Sequence, residues 1–126
     1  MKFVIPGRLP GLNEIIGANR GNRYAGASQK KKETRRCAFE IIRQCSGKFV
    51  TPIGISFTWI EDSYKRDPDN ICAGQKFILD ALVECGRLEN DTRKYVKEIR
   101  HHFAMPDKQQ PRIEVEITVF NESPSE

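Results

Sequence analysis

The residues with the clearest chemical potential lie in one stretch, Lys65 to Asp91, reading KRDPDNICAGQKFILDALVECGRLEND. Asp67 and Asp69 bracket Pro68 just ahead of a helical pattern. Lys76 rises from that pattern, and Asp91 follows the turn that Gly86 opens. Carboxylates brought together without a cation repel: two charges 4 Å apart cost about 4 kcal/mol at an effective dielectric near 20. A divalent metal removes that penalty. Mg²⁺ favours one or two carboxylates together with waters and substrate oxygens, and it both activates water and stabilises a departing oxyanion. Asp67, Asp69 and Asp91 are therefore the candidate Mg²⁺ ligands, with Mn²⁺ able to substitute. Lys76 is the candidate for stabilising charge that develops on a phosphate. The chemistry this set would serve is hydrolysis of a phosphodiester.

The same residues also have purely structural uses. Asp67 before Pro68 makes an N-cap with proline at the first helical position, and Asp69 favours the helix dipole. Lys76 and Asp80 form an i,i+4 surface pair worth a few tenths of a kcal/mol. Asp91 suits a turn. Spacing alone leaves both readings standing. An EF-hand is disfavoured, because Ile71 occupies the third ligand position and the required glycine is missing. His101 and His102, adjacent on a strand, point to opposite faces and do not share a metal.

These side chains need a frame. On a helical wheel from Pro68 to about Cys85, Ile71, Gly74, Ile78, Ala81, Leu82 and Cys85 form one apolar stripe for packing on a sheet. Asp69, Lys76 and Asp80 fall on the opposite side within about 40° of one line. Lys2 to Ile5 reads as a first strand, closed by Pro6 and Gly7. In Lys48 to Ile60, Ile53, Ile55, Phe57 and Trp59 alternate with small or polar residues, as in a strand buried on one side. TRKYVKEIRHHFAMP supplies a third strand and RIEVEITVF a fourth, expected as antiparallel neighbours. The order β-α-β-α-β-β predicts an α+β domain over residues 1–120, a small mixed sheet packed against two helices, followed by a polar tail at 121–126.

Between the first strand and the first helix, Gly7 to Ala27 is rich in glycine and asparagine and is expected to be a long loop. Its Asn13, Arg20 and Arg23 are the groups from which phosphate contacts are usually made. From Ser28, apolar Cys37, Ala38, Ile41, Ile42 and Cys45 recur at helical spacing up to Gly47. Lys30, Lys31 and Lys32 crowd the start of this helix, where cations oppose the macrodipole at about 0.3–1 kcal/mol each. A phosphate backbone is the natural counter-charge. Lys65 and Arg66, beside the acids, complete the candidate DNA-binding set.

The chain of 126 residues fits one domain, with 38% hydrophobic and 30% charged residues. Residues 1–48 hold 11 Lys/Arg against 3 Asp/Glu, and residues 49–126 hold 10 against 14. A basic half joined to an acidic half suits a surface that attracts phosphates beside a carboxylate patch, and an ordinary solubilising helix face fits the charge equally well. No apolar run approaches the roughly 18 residues needed to span a bilayer, and the opening run is too short for a secretory signal. A cytoplasmic location with no membrane partner is expected. Cys37, Cys45, Cys72 and Cys85 lack CxxC spacing, so free thiols are expected rather than disulfides or zinc ligands.

Taken together, Asp67-x-Asp69-Asn70, Lys76 four residues before Asp80-Ala81-Leu82, and Asp91 eleven residues after Asp80 resemble the RusA family of Holliday junction resolvases, small enzymes of bacteria and their prophages. The likeness extends to the opening with Pro10 and Asn13, the basic stretch into the first helix and the two closing strands. It implies that Asp67, Asp69 and Asp91 hold magnesium and that Lys76 is the catalytic lysine. It also implies a homodimer that makes paired nicks across a four-way junction in DNA recombination and repair. Two departures stand out. The interval from Asp69 to Lys76 is longer than in the best-known members by about one helical turn. Where some members carry consecutive acids, this chain has Asn90-Asp91, leaving Asp91 as the ligand there, with Glu89 or Asp80 as assistants. The alternative from a different class is a non-catalytic DNA-binding or recombination accessory protein of the same fold.

Overall fold

The computed structural model describes residues 1–21 and 23–121, without the side chains of Arg23 and Tyr24. In chain order the elements are β1 (Lys2–Pro6), α1 (Leu12–Gly21), α2 (Arg23–Gln44), β2 (Ile53–Ile60), α3 (Pro68–Cys72), α4 (Gln75–Glu84), β3 (Val96–Phe103) and β4 (Arg112–Val119). The class is α+β. A four-stranded mixed sheet has the order β1-β4-β2-β3.

The alternation in β2 places Ile53, Ile55, Phe57 and Trp59 in the core, each at most 2% exposed. In β4, Ile113, Val115 and Ile117 join them from the same face, and Phe3 and Ile5 add β1. Cys37 and Ile41 of α2 and Phe77, Ile78, Ala81 and Leu82 of α4 close the core from above. Each large side chain so buried contributes about 1.5–3 kcal/mol. Cys37 and Cys45 pack here as free thiols. Burial pushes the Cys37 pKa up to about 12, against the pull of Arg36 and with a smaller push from Glu33. The thiol therefore stays protonated and behaves as a small hydrophobe. Among the described residues, no helix is long and apolar enough to cross a membrane.

Three expectations are corrected. The stretch Gly7 to Ala27 is not one long loop: α1 fills Leu12–Gly21, and α2 starts at Arg23 rather than near Ser28. The last two strands are not neighbours. β3 pairs with β2 in parallel, and β4 lies between β1 and β2, antiparallel to both. The cause is the crossover through α3 and α4, since a strand–helix–strand unit returns the chain in the same direction. The Ala104–Pro111 connection then crosses the end of β2, held by the Ala104 amide donating to the Trp59 carbonyl at 3.1 Å and the Asp107 amide donating to the Glu61 carbonyl at 2.8 Å.

The third correction concerns the central helix, which is two short ones. Between them Gly74, Lys76 and Phe77 donate their amides three residues back, to Ile71, Ala73 and Gly74. That spacing is 3₁₀, with 3.0 residues per turn instead of 3.6. The phase slips, so Asp69 and Lys76 no longer lie on one line. Gly74 is where the backbone presses against the core: a Cβ there would sit 3.0 Å from Leu9 Cβ and 3.4 Å from the Trp59 ring.

On β3, His101 stacks on Phe57 with ring centroids 5.3 Å apart, and its Nδ1 accepts a hydrogen bond from Trp59 Nε1 at 2.9 Å. An imidazolium has no lone pair for that bond. Burial lowers the His101 pKa below its ordinary value. The unfolded chain therefore takes up this proton first, and stability is lost as pH falls through about 6.5 and below, and is fully present above it. Thermal melts between about pH 7.5 and about pH 5.5 are expected to show a falling midpoint. In His101→Phe that slope is expected to flatten, and an unchanged slope would count against the Trp59–His101 account.

Candidate metal and nucleic-acid site

The acids sit on the segment that leaves β2. Its first residue, Glu61, is a carboxylate at the end of an apolar strand, with only 9% of its side chain exposed. Arg66 answers it: Nε donates to Oε1 at 2.7 Å and Nη2 to Oε2 at 2.8 Å. Nη1 of the same guanidinium donates to the Leu9 carbonyl at 3.0 Å and to Glu14 Oε1 at 3.2 Å. Burial opposes the Arg66 charge, but the hydrogen bonds and charges of Glu61 and Glu14 outweigh it and raise the pKa. Arg8 adds a second cation, 3.4 Å from Glu61 and 3.5 Å from Asp62. Arg66 was read from sequence as a DNA contact. The structure instead spends its donors internally, where it positions the loop ending in Asp67.

Asn70 makes the next tie. Its Oδ1 accepts the Asn13 backbone amide at 3.0 Å, capping the first turn of α1 from α3. The approach is close: a Cβ on Gly11 would lie 2.4 Å from Asn70 Oδ1 and 2.8 Å from Arg66 Nη1. Asn13, Lys65, Arg66 and Asn70 thus share a polar cavity of about 760 Å³.

Asp67 occupies the N-cap position of α3 with extended backbone, yet its side chain makes no capping hydrogen bond. Among the described residues, Asp69 Oδ1 accepts only the neighbouring Asn70 amide, at 3.0 Å. Both are exposed, as is Asp91. Asp91 opens instead onto a cavity of about 460 Å³ between α2 and α4, with Lys30, Lys31, Thr34, Asp80 and Glu84. Lys76 lines an adjoining cavity of about 490 Å³ with Ile15, Asn19 and Lys30. Lys30 contributes to both. The i,i+4 pair between Lys76 and Asp80 is not made: Asp80 pairs with Lys30 at 3.5 Å, and among the described residues no ion pair involves Lys76.

The structure therefore sets Asp67 and Asp69 at the start of α3 and places Asp91 on the cavity it lines with Asp80 and Glu84. Among the described residues, no group of three or more His, Cys, Asp or Glu side chains is arranged to hold a metal ion. Mg²⁺ needs only one or two carboxylates when waters and substrate oxygens complete the shell, and the oxygen donors of Asp67 and Asp69 suit it. Arg20, Lys31 and Lys32 are exposed on α1 and α2. The Arg23 side chain lies outside the described residues. His101 is bound to Trp59 and His102 points to the other face, in keeping with the reading that they share no metal.

Sequence reasoning missed Glu61 as an anchor. The signal was present: an acid directly after an apolar strand, followed five residues later by an arginine. Comparison of the chain with protein-family models and with curated proteins finds no match to either.

Two substitutions separate anchor from ligand. Arg66→Met, which leaves the buried Glu61 with the Arg8 ion pair but without its bidentate hydrogen bonds, is expected to cost about 1–3 kcal/mol in urea unfolding. Asp67→Ala is expected to change stability by less than about 0.5 kcal/mol. A loss near 1 kcal/mol for Asp67→Ala would show that it caps the helix after all.

Proposed function

We propose that the chain is a Mg²⁺-dependent endonuclease that resolves four-way DNA junctions, acting as a homodimer whose two sites make paired nicks. The observation that carries this reading is that Asp67 and Lys76 both decline the local structural partners their spacing offers. The Asp67 carboxylate caps nothing, and Lys76 leaves Asp80 to Lys30. A carboxylate that caps nothing, an ammonium outside any ion pair among the described residues, and Asp69 bonded to the adjacent Asn70 amide are the groups that metal and phosphate binding would use.

In this reading Asp67 and Asp69 hold Mg²⁺, with waters and substrate oxygens completing its shell, while Asp91, the third ligand that the RusA resemblance implies, stands apart on the cavity with Asp80 and Glu84. The ion, when bound, supplies an activated water and neutralises charge on the scissile phosphate. Lys76 stabilises the charge that accumulates on the phosphate oxygens. Arg20, Arg23, Lys31, Lys32 and Lys65 supply cations for the DNA backbone, and Asn13 a polar contact, while Lys30 bridges the two cavities. Binding of this kind weakens steeply with salt, by counterion release. The work is done on DNA, in the cytoplasm.

A second reading, a DNA-binding accessory protein without turnover, draws on the exposed lysines of α2 and on the separation of Asp91 from Asp67 and Asp69. Metal separates the two. The nuclease reading expects nicked product from a synthetic four-way junction only when Mg²⁺ or Mn²⁺ is present. It also expects Asp69→Asn to bind the junction without cutting it. Mg²⁺ should raise the melting temperature of the natural chain and not of the Asp69→Asn variant. Junction binding with no product under any metal, and no metal-dependent melting shift, would favour the accessory protein.

A further inference from the structure

Four separate parts of the chain build the polar cavity of about 760 Å³ beside the acids. Arg8 comes from the segment after β1 and Asn13 from the first turn of α1. Ser63 and Lys65 come from the loop that leads to Asp67, and Lys108 from the connection between β3 and β4. The turn that carries Lys108 is pinned on both sides. The Asp107 amide donates to the Glu61 carbonyl at 2.8 Å, and Asp107 Oδ1 accepts the amides of Gln109 and Gln110, each at 3.1 Å. Asp107 Oδ2 pairs with Arg112 Nη1 at 3.2 Å. The backbone of Lys108 is thus fixed beside the end of β2, while its side chain is exposed.

Charge decides what such a cavity would take. Two guanidinia, Arg8 and Arg66, share three carboxylates: Glu61 with both, Asp62 with Arg8, and Glu14 with Arg66. That network alone has a balance of −1. Among the described residues no ion pair involves Lys65 or Lys108, and their two ammoniums turn the balance to +1. A donor is also left over. Arg8 Nε is buried and, among the described residues, has no hydrogen-bond partner, although Glu61 Oε1 lies 3.4 Å away as an ion pair. Buried donors without an acceptor are rare in folded chains. The Ser63 hydroxyl accepts the Lys65 amide at 3.3 Å and keeps its own proton to donate.

We propose that this cavity seats one phosphodiester group of the DNA strand, flanking the scissile phosphate, with Lys65 and Lys108 as its cations and Ser63 and Asn13 as neutral donors. A phosphodiester carries a single negative charge, which matches the balance of the lining. The exposed lysines of α2 can attract DNA anywhere along their face. A phosphate seated in a cavity is held at one place, and phosphate contacts of that kind set register and orientation on the duplex. The cavity shares Arg66 with the loop that ends in Asp67, so a strand anchored here has a fixed position relative to Asp67 and Asp69. Lys108 is therefore a positioning residue, supplied from a turn far along the chain from the other basic residues of the site.

The inference deepens the proposed nuclease and rests on that reading for the identity of the anion. Binding is measured in EDTA, without metal, and nicking is not its readout. Anisotropy of a labelled four-way junction, titrated with the full chain over a series of NaCl concentrations, gives affinity and its salt slope. Lys108→Gln is expected to weaken binding about threefold or more and to lower the slope by about 0.9, the loss of one phosphate contact. Lys108→Arg is expected to keep the natural slope. Lys2→Gln removes the same charge from β1 and is expected to leave the slope unchanged. Circular dichroism checks that each variant folds. Should Lys108→Gln unfold, amide shifts of the natural chain decide: those of Ser63, Lys65 and Lys108 are expected to move together with the junction, and far less with inorganic phosphate at the same phosphate concentration. A slope indifferent to Lys108→Gln, an equal loss in Lys2→Gln, a junction that never binds, or shifts that spare these three amides overturns the proposal. Equal shifts with inorganic phosphate also overturn it, in favour of a site for a free anion. A junction bound through Lys108 yet never nicked with Mg²⁺ supports the subsite and counts against the nuclease, whereas nicking with a slope that ignores Lys108→Gln does the reverse.

Discussion

The bidentate pair between Glu61 and Arg66 is the interaction on which the candidate site depends. A carboxylate buried at the end of β2 is tolerable only when a cation meets it with good geometry. Arg66 does so with two short hydrogen bonds, and spends its remaining donor on the Leu9 carbonyl and Glu14. One guanidinium thus ties the end of the central strand, the segment after β1 and the first turn of α1. Asp67 follows directly in the chain. The loop cannot rearrange without breaking this bidentate pair and leaving the buried Glu61 to Arg8 alone, and that fixes where Asp67 and Asp69 begin α3.

Close approach of backbone is the second constraint. A Cβ at Gly11 would strike Asn70 and Arg66, and one at Gly74 would crowd Leu9 Cβ at 3.0 Å beside the Trp59 ring. The tightened turn at Gly74 separates α3 from α4. It also turns Lys76 away from the line of Asp69, toward the cavity it shares with α1 and α2. Packing of the helix pair on Trp59 and the direction of Lys76 are thus set by one local feature.

The sheet and its core were legible in the sequence, because period-two alternation in β2 and β4 leaves little choice about which side is buried. The apolar stripe of the central helix was equally plain, though Phe77 escaped it because the wheel assumed 3.6 residues per turn through a 3₁₀ stretch. The helix α1 was not legible. It buries no residue of its own, and its first turn is capped by Asn70, 57 residues further along the chain. No local pattern encodes a cap supplied from so far away. The role of Arg66 was hidden for a related reason, since a lysine–arginine pair looks the same whether it faces DNA or a buried carboxylate. Strand order was misjudged where adjacency in sequence stood in for the parallel return that a helical crossover imposes.

The nuclease chemistry depends on the acids sharing an ion. Mn²⁺ is paramagnetic and broadens amide resonances near its site, so titrating it into isotopically labelled protein reads the question directly. The account predicts that the amides of Asp67 and Asp69 broaden together at the first additions. Broadening confined to acids elsewhere on the surface, such as Glu114 and Glu116 on the far face of the sheet, would contradict it.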